Sequence, residues 1–154
     1  MMLVSTPRCF NCHPKESNSQ LEIFDFVKSI APDAILSDRD AIKPKELDIY
    51  VPSKQFAVEY NGLYWHSEKF LESNYHQEKH NVCQERNIAL LSIFEDEWRD
   101  KKDIIKGMIK HRVGLDFNIL NARQLKCQVL AVKDARKFFD DNHLEGYAMS
   151  KITF

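Results

Sequence analysis

Leu47-Asp48-Ile49-Tyr50-Val51-Pro52, followed by Phe56-Ala57-Val58-Glu59-Tyr60-Asn61-Gly62-Leu63-Tyr64-Trp65-His66, is the stretch on which the reading of this chain turns. Both runs are β-branched and aromatic, Pro52-Ser53 punctuates them, and the short gap predicts an antiparallel hairpin. Asn61-Gly62 marks a turn after the second strand. Asp48 sits inside an apolar strand, where Asp is disfavoured and an unpaired buried carboxylate is costly. With a tight turn at 52–54, Glu59 converges with Asp48 at one end of the hairpin. Two carboxylates, a backbone carbonyl and waters suit Mg²⁺ or Mn²⁺. Such an ion activates water and stabilises a leaving oxygen in phosphodiester cleavage. The plain alternative has Asp48 capping a strand and Glu59 facing solvent. Two acids at this spacing, followed by Trp65-His66, weigh against it.

Outward from the hairpin, the periodicities supply the other elements. Ser19 is expected to cap a helix with Glu22 as its capping-box partner. Ile23, Phe26, Val27 and Ile30 give that helix one apolar face, and Pro32 ends it. Residues 33–46 read as a polar loop around a short strand at Ala34–Leu36, and 63–73 as a loop rich in aromatic and polar side chains. Residues 74–86 read as a helix with Asn87 as C-cap. Ile88–Phe94 is a near-continuous apolar run, as in a buried strand. Trp98–Val113 reads as one long helix stopped by Gly114. Residues 124–131 suit a strand and 133–142 a short helix. The order α-β-β-β-α-β-α predicts an α/β core, a central mixed sheet flanked by helices, with a short C-terminal α+β extension. The expected organisation is an irregular segment 1–16, a core 17–114 and a basic extension 115–154, the last an incomplete unit.

The 154 residues are 44% hydrophobic and 29% charged, which is the composition of a globular protein. Four Gly and five Pro exclude a collagen-like or low-complexity chain. No apolar run nears the roughly 20 residues of a membrane span, and no signal peptide is visible, so no membrane partner is expected. The net charge of −1 conceals an asymmetry: residues 1–98 carry −6 and residues 99–154 carry +5. That pattern suits a metal-dependent enzyme acting on a polyanion.

Several side chains outside the acid pair also bear on chemistry. His66 is placed to exchange a proton with water or a leaving group near neutral pH. Lys79, on the following helix, is within reach of the hairpin end, where an ammonium stabilises developing negative charge. His76 and His80 share that helix at i, i+4 but lack the Glu of a zincin and read as a solvated face. Glu22 has a strong capping explanation. Cys9-Phe10-Asn11-Cys12 is half of a structural zinc motif, which needs four ligands, or simply two thiols.

Glu22, the run Leu47-Asp48 to Pro52, the run Ala57 to His66 and Ala89-Leu-Leu-Ser-Ile-Phe-Glu-Asp-Glu-Trp98 together resemble the phage homing endonucleases of the EDxHD type. These are similar to the very-short-patch repair endonuclease and belong to the wider PD-(D/E)xK, restriction-endonuclease-like fold. The similarity covers about residues 17–113. It implies that Glu22 is the leading Glu near the metal-bound water and that Asp48 is the metal-binding Asp. Glu59 falls at the second acidic position, the Tyr60 backbone carbonyl at a further ligand position, and His66 at the catalytic His. Two departures stand out. The final Asp of the motif falls at Lys79 or His80, and Asn61 stands where the broader motif has its Lys, so Lys79 is expected to replace that Lys. The resemblance implies a Mg²⁺-dependent DNA endonuclease of phage or mobile-element origin, acting on double-stranded DNA in the cytoplasm of an infected bacterium as monomer or homodimer. A repair or restriction-type nuclease and a non-catalytic nucleic-acid-binding module are the alternatives.

Overall fold

The computed structural model describes residues 17–62, 75–115, 120–127 and 129–149. Helix α1 spans Asn18–Ile30, and its N-cap is Ser17, whose hydroxyl accepts the Gln20 N–H at 3.1 Å. The expected box of Ser19 and Glu22 therefore does not form, because both residues already lie inside the helix. Ile23 and Val27 are fully buried, and Phe26 and Ile30 pack beside them as the spacing predicts. The helix stops at Ile30, with Ala31 as its cap before Pro32.

Strand β1 is Ile35–Asp38, β2 is Leu47–Val51 and β3 is Phe56–Asn61. The first lies slightly C-terminal to its expected position and runs on to Asp38, whose carboxylate then folds the loop after it. Asp38 Oδ1 accepts the N–H groups of Asp40 and Ala41 at 3.1 and 2.7 Å. This is the local bond that makes Asp a turn residue. The hairpin between β2 and β3 forms as predicted. It turns through a 3₁₀ segment, Pro52–Lys54, and a left-handed Gln55 at φ 47°. Asn61 is the last residue of β3 rather than part of a turn.

Helix α2 covers Tyr75–Glu85, and Asn87 adopts φ 56°, the left-handed exit that Asn tolerates. Strand β4, Ala89–Phe94, then pairs parallel to β3. The described strands form one mixed sheet in the order β1-β2-β3-β4, with antiparallel pairs on the β1 side. Among the described strands, the apolar run of β4 therefore lies at an edge of the sheet and not at its centre. Ile93 alone among its residues is fully covered.

The long helix expected over Trp98–Val113 is instead two: α3, Glu95–Asp100, and α4, Lys102–Val113, broken at Lys101 (φ −131°, ψ 32°). Glu97 accepts the Phe94 N–H at 2.9 Å and so fixes the start of α3 earlier than the apolar pattern suggests. The break lets Trp98 enter the same core as the Ile105–Ile109–Val113 stripe of α4. Gly114, at φ 83°, ends α4 as predicted. The strand expected at 124–131 is absent from the described part of that segment. Leu125 and Val129 are exposed there, and apolar, β-prone residues without a pairing strand do not make a sheet. Helix α5, Val132–Asn142, is the last of the described helices. It is tied back by Lys101 Nζ donating to the Asp140 carbonyl and by Leu144 packing on the main core.

The core has two parts, one on each face of the sheet. On one face Ile49, Val51, Phe56, Val58 and Ile93 meet α1, Trp98 and α4. On the other, Tyr50 and Ala57 meet Cys83 of α2, Ile88 and the loop residue Ile42.

Candidate functional site

Side chains alternate faces along a strand, so Glu59 shares the α2 face with Ala57, and Asp48 shares it with Tyr50. The β2–β3 register runs from Val51↔Phe56 to Ile49↔Val58 and stops there. Asp48 and Glu59 are the next residues along. Where the ladder opens, side chains take over: Asp48 Oδ2 accepts the Tyr60 main-chain N–H at 2.8 Å. From α2, the ammonium of Lys79, a residue 3% exposed, donates to Glu59 Oε1. The sequence expectation that Asp48 and Glu59 converge, with Lys79 arriving from the next helix, is met in this geometry.

The second oxygen of Glu59, Oε2, is buried with no hydrogen-bond partner. Glu59 is 9% exposed, and its carboxyl is pushed up to about 7. Burial is the largest cause and the neighbouring Asp48 charge the next, with Lys79 opposing both. Asp48 is also raised, chiefly by burial, against the Tyr60 N–H and Lys79, which favour its charged form. The buried Glu59 and the half-buried Asp48 therefore stand around one buried ammonium, which is bonded to Glu59. A buried excess of negative charge of this kind is costly unless a cation or a proton joins it.

These residues suit a divalent ion in donor chemistry: two hard carboxylates, one with a spare buried oxygen, beside the Tyr60 main chain. Mg²⁺ keeps several waters and needs only one or two carboxylates. Among the described residues no cluster of three or more His, Cys, Asp or Glu is arranged to hold a metal. The pair would therefore be completed by water, main chain or substrate oxygen.

Glu22 stands elsewhere. Its carboxylate accepts from the Trp98 indole at 3.1 Å and from Lys102 at 2.6 and 2.8 Å, and these contacts hold it below the usual carboxylate range. Those partners belong to the α1–α4 face, across the sheet from Lys79. His66 and the Cys9/Cys12 pair lie outside the described residues, and His80 is exposed on α2. Asn61, at the motif's Lys position, is buried at the end of β3.

Sequence reasoning missed one contributor. The Tyr60 N–H that fixes Asp48 leaves no side-chain signature. Cys83, core-like in the sequence, lies one helical turn beyond Lys79, is 1% exposed and belongs to the same buried cluster as Ala57 and Ile42.

The basic balance of residues 99–154 is partly consumed internally: Arg99 pairs with Asp100, Lys102 with Glu22 and Lys137 with Asp141. Lys106 lies over the rings of Phe26 and Trp98. No helix of the described residues is long and apolar enough to cross a membrane. Compared with protein-family models, curated proteins and solved structures, the chain shows no match.

Proposed function

We propose that this protein is a Mg²⁺- or Mn²⁺-dependent endonuclease acting on double-stranded DNA, with Asp48, Glu59 and Lys79 at its centre. One observation carries the reading: on neighbouring strands the half-buried Asp48 and the buried Glu59 flank one buried lysine ammonium, and the buried Glu59 Oε2 is left without a hydrogen-bond partner. An apolar fold gains nothing from such a group, and replacing it by hydrophobic residues of similar volume is commonly neutral or stabilising. Its presence is best explained by chemistry that needs concentrated negative charge beside a fixed cation.

In this reading Asp48, Glu59 and the Tyr60 carbonyl hold the ion. When bound, the ion supplies a Lewis acid for a phosphate oxygen and lowers the pKa of an attacking water. The remaining work falls to the chain. Lys79 is held rigidly by Glu59 from below and directs positive charge at a phosphate that gains charge as the new P–O bond forms. His66 is the expected proton acceptor for the attacking water. Neighbouring basic side chains of the C-terminal part supply phosphate contacts in proportion to those not engaged in internal pairs. The resemblance extends this reading to a homing endonuclease of phage origin.

Incubation of supercoiled plasmid with the full chain in Mg²⁺, in Mn²⁺ and in EDTA tests it. Nicking in either ion, none in EDTA, and a loss of at least about 10³-fold in Asp48→Asn with the fold retained are expected. DNA binding without cleavage in any of these ions would replace this reading with that of a non-catalytic nucleic-acid-binding module.

A further inference from the structure

Asp48 lies between two interruptions of the sheet, and only one of them is explained by its own carboxylate. On the β3 side, Tyr60 bonds the side chain. On the β1 side, the pairs Ile35↔Tyr50, Leu36↔Ile49 and Asp38↔Leu47 are made, and the intervening pair, Ser37 with Asp48, is missing. Ser37 has φ 53°, a left-handed conformation that costs a non-glycine residue and is rare in a strand. Local strain of this kind persists only where the surroundings enforce it, and it collects at functional sites.

We propose that the left-handed main chain at Ser37 positions Asp48: by taking the 37/48 pair out of the ladder, it frees β2 to turn the Asp48 carboxylate onto the Tyr60 N–H and beside Glu59. Ser37 is thus a positioning residue, two strands from the ammonium it serves. Ser is one of the few strand residues whose short polar side chain makes such a kink tolerable, and Gly or Asn would tolerate it better. A β-branched residue favours the regular strand and would close the ladder. The consequence for cleavage rests on the nuclease reading, but the positioning of Asp48 does not.

Amide hydrogen exchange by NMR on the full chain, in EDTA, separates the two. In the native protein the Tyr60 amide is expected to be protected together with Ala57 and Val58. Ser37→Gly and Ser37→Asn should leave it so. Ser37→Ala should accelerate Tyr60 exchange measurably, and Ser37→Val by about tenfold or more, while Ala57 and Val58 stay protected. Plasmid nicking should fall in the same order. If Ser37→Val does not fold, Ser37→Ala decides. Unchanged Tyr60 protection in Ser37→Ala, or uniform acceleration of all three amides, would show that Ser37 is merely a strained loop entry and overturn the proposal. A protein that never cleaves DNA but shows the graded Tyr60 response would instead overturn the nuclease reading and keep Ser37 in its role.

Discussion

The two faces of the sheet are built on different principles. The α1–α4 face is apolar throughout: Ile23, Val27, Ile49, Val51, Val58, Ile105 and Ile109 are fully or almost fully covered there. Its charged contact, Glu22 with Trp98 and Lys102, sits at the rim with both charged side chains substantially exposed. The α2 face has a smaller apolar cluster and puts its charges inside, with Lys79 and Glu59 almost fully covered. Stability is therefore concentrated on one side and electrostatic tension on the other. A sheet one residue thick lets the first side support the second.

The largest effect that tests this contrast is a pair of substitutions. Lys79→Met should destabilise the protein by about 3–5 kcal/mol at pH 8, because the buried Glu59 loses its ammonium partner and the half-buried Asp48 loses a neighbouring positive charge. Ile23→Ala, on the opposite face, should cost a similar amount, about 2–5 kcal/mol, through lost burial and a cavity. Denaturant titrations at pH 5 and pH 8 distinguish them. The Ile23→Ala loss should be the same at both values, and the Lys79→Met loss should shrink at pH 5, where a carboxyl takes a proton instead. Equal pH dependence would erase the distinction between the faces.

The next effect is in the unsubstituted protein. Glu59 holds its proton in the fold up to about 7, whereas its ordinary value is 4.5. Between those values the folded state binds more protons than the unfolded one. The stability this contributes is fully present below pH 4.5 and is lost as pH rises through 7. In EDTA the fall should be on the order of 3 kcal/mol at most. Glu59→Gln should flatten it. On the nuclease reading, millimolar Mg²⁺ should offset it as well, since the ion takes the place of the proton. A flat profile in EDTA would mean that the α2 face is better hydrated than its burial indicates.

The smallest effect concerns the rim of the other face. Glu22→Gln should cost no more than about 1 kcal/mol, the scale of an exposed ion pair. Plasmid nicking should stay within about twofold. The resemblance assigns Glu22 a place near the attacking water, and a loss of a hundredfold or more would bring the start of α1 into the site.

Those assignments also show what was legible beforehand. The hairpin, the α1 stripe, the Gly114 stop and the convergence of Asp48 with Glu59 follow from period-2 and period-3.6 patterns plus turn chemistry, all of which are local. The features that escaped depend on partners distant in sequence. An apolar run such as Ala89–Phe94 has the same composition at the edge of a sheet as at its centre. The early start of α3 depends on Glu97 reaching back to Phe94, and the break at Lys101 goes with the burial of Trp98 in the core. Leu125 and Val129 favour a strand that finds no partner. From sequence, Glu22 fits a cap as well as a catalytic role. The indole and ammonium that hold it come from residues 76 and 80 positions away.

The contact between the Tyr60 amide and Asp48 has a consequence for genetics. The Tyr60 ring packs with the apolar face, while its main chain serves the acidic one. Any survey of side chains at this position will therefore report only a preference for bulk, since every residue but one carries the same N–H. Proline is that exception, and it also breaks the strand. The donor that fixes Asp48 is thus hidden from ordinary selection, free to persist while the residue around it drifts. An amide-to-ester replacement at position 60, made by chemical synthesis or ligation, would delete it while sparing the ring.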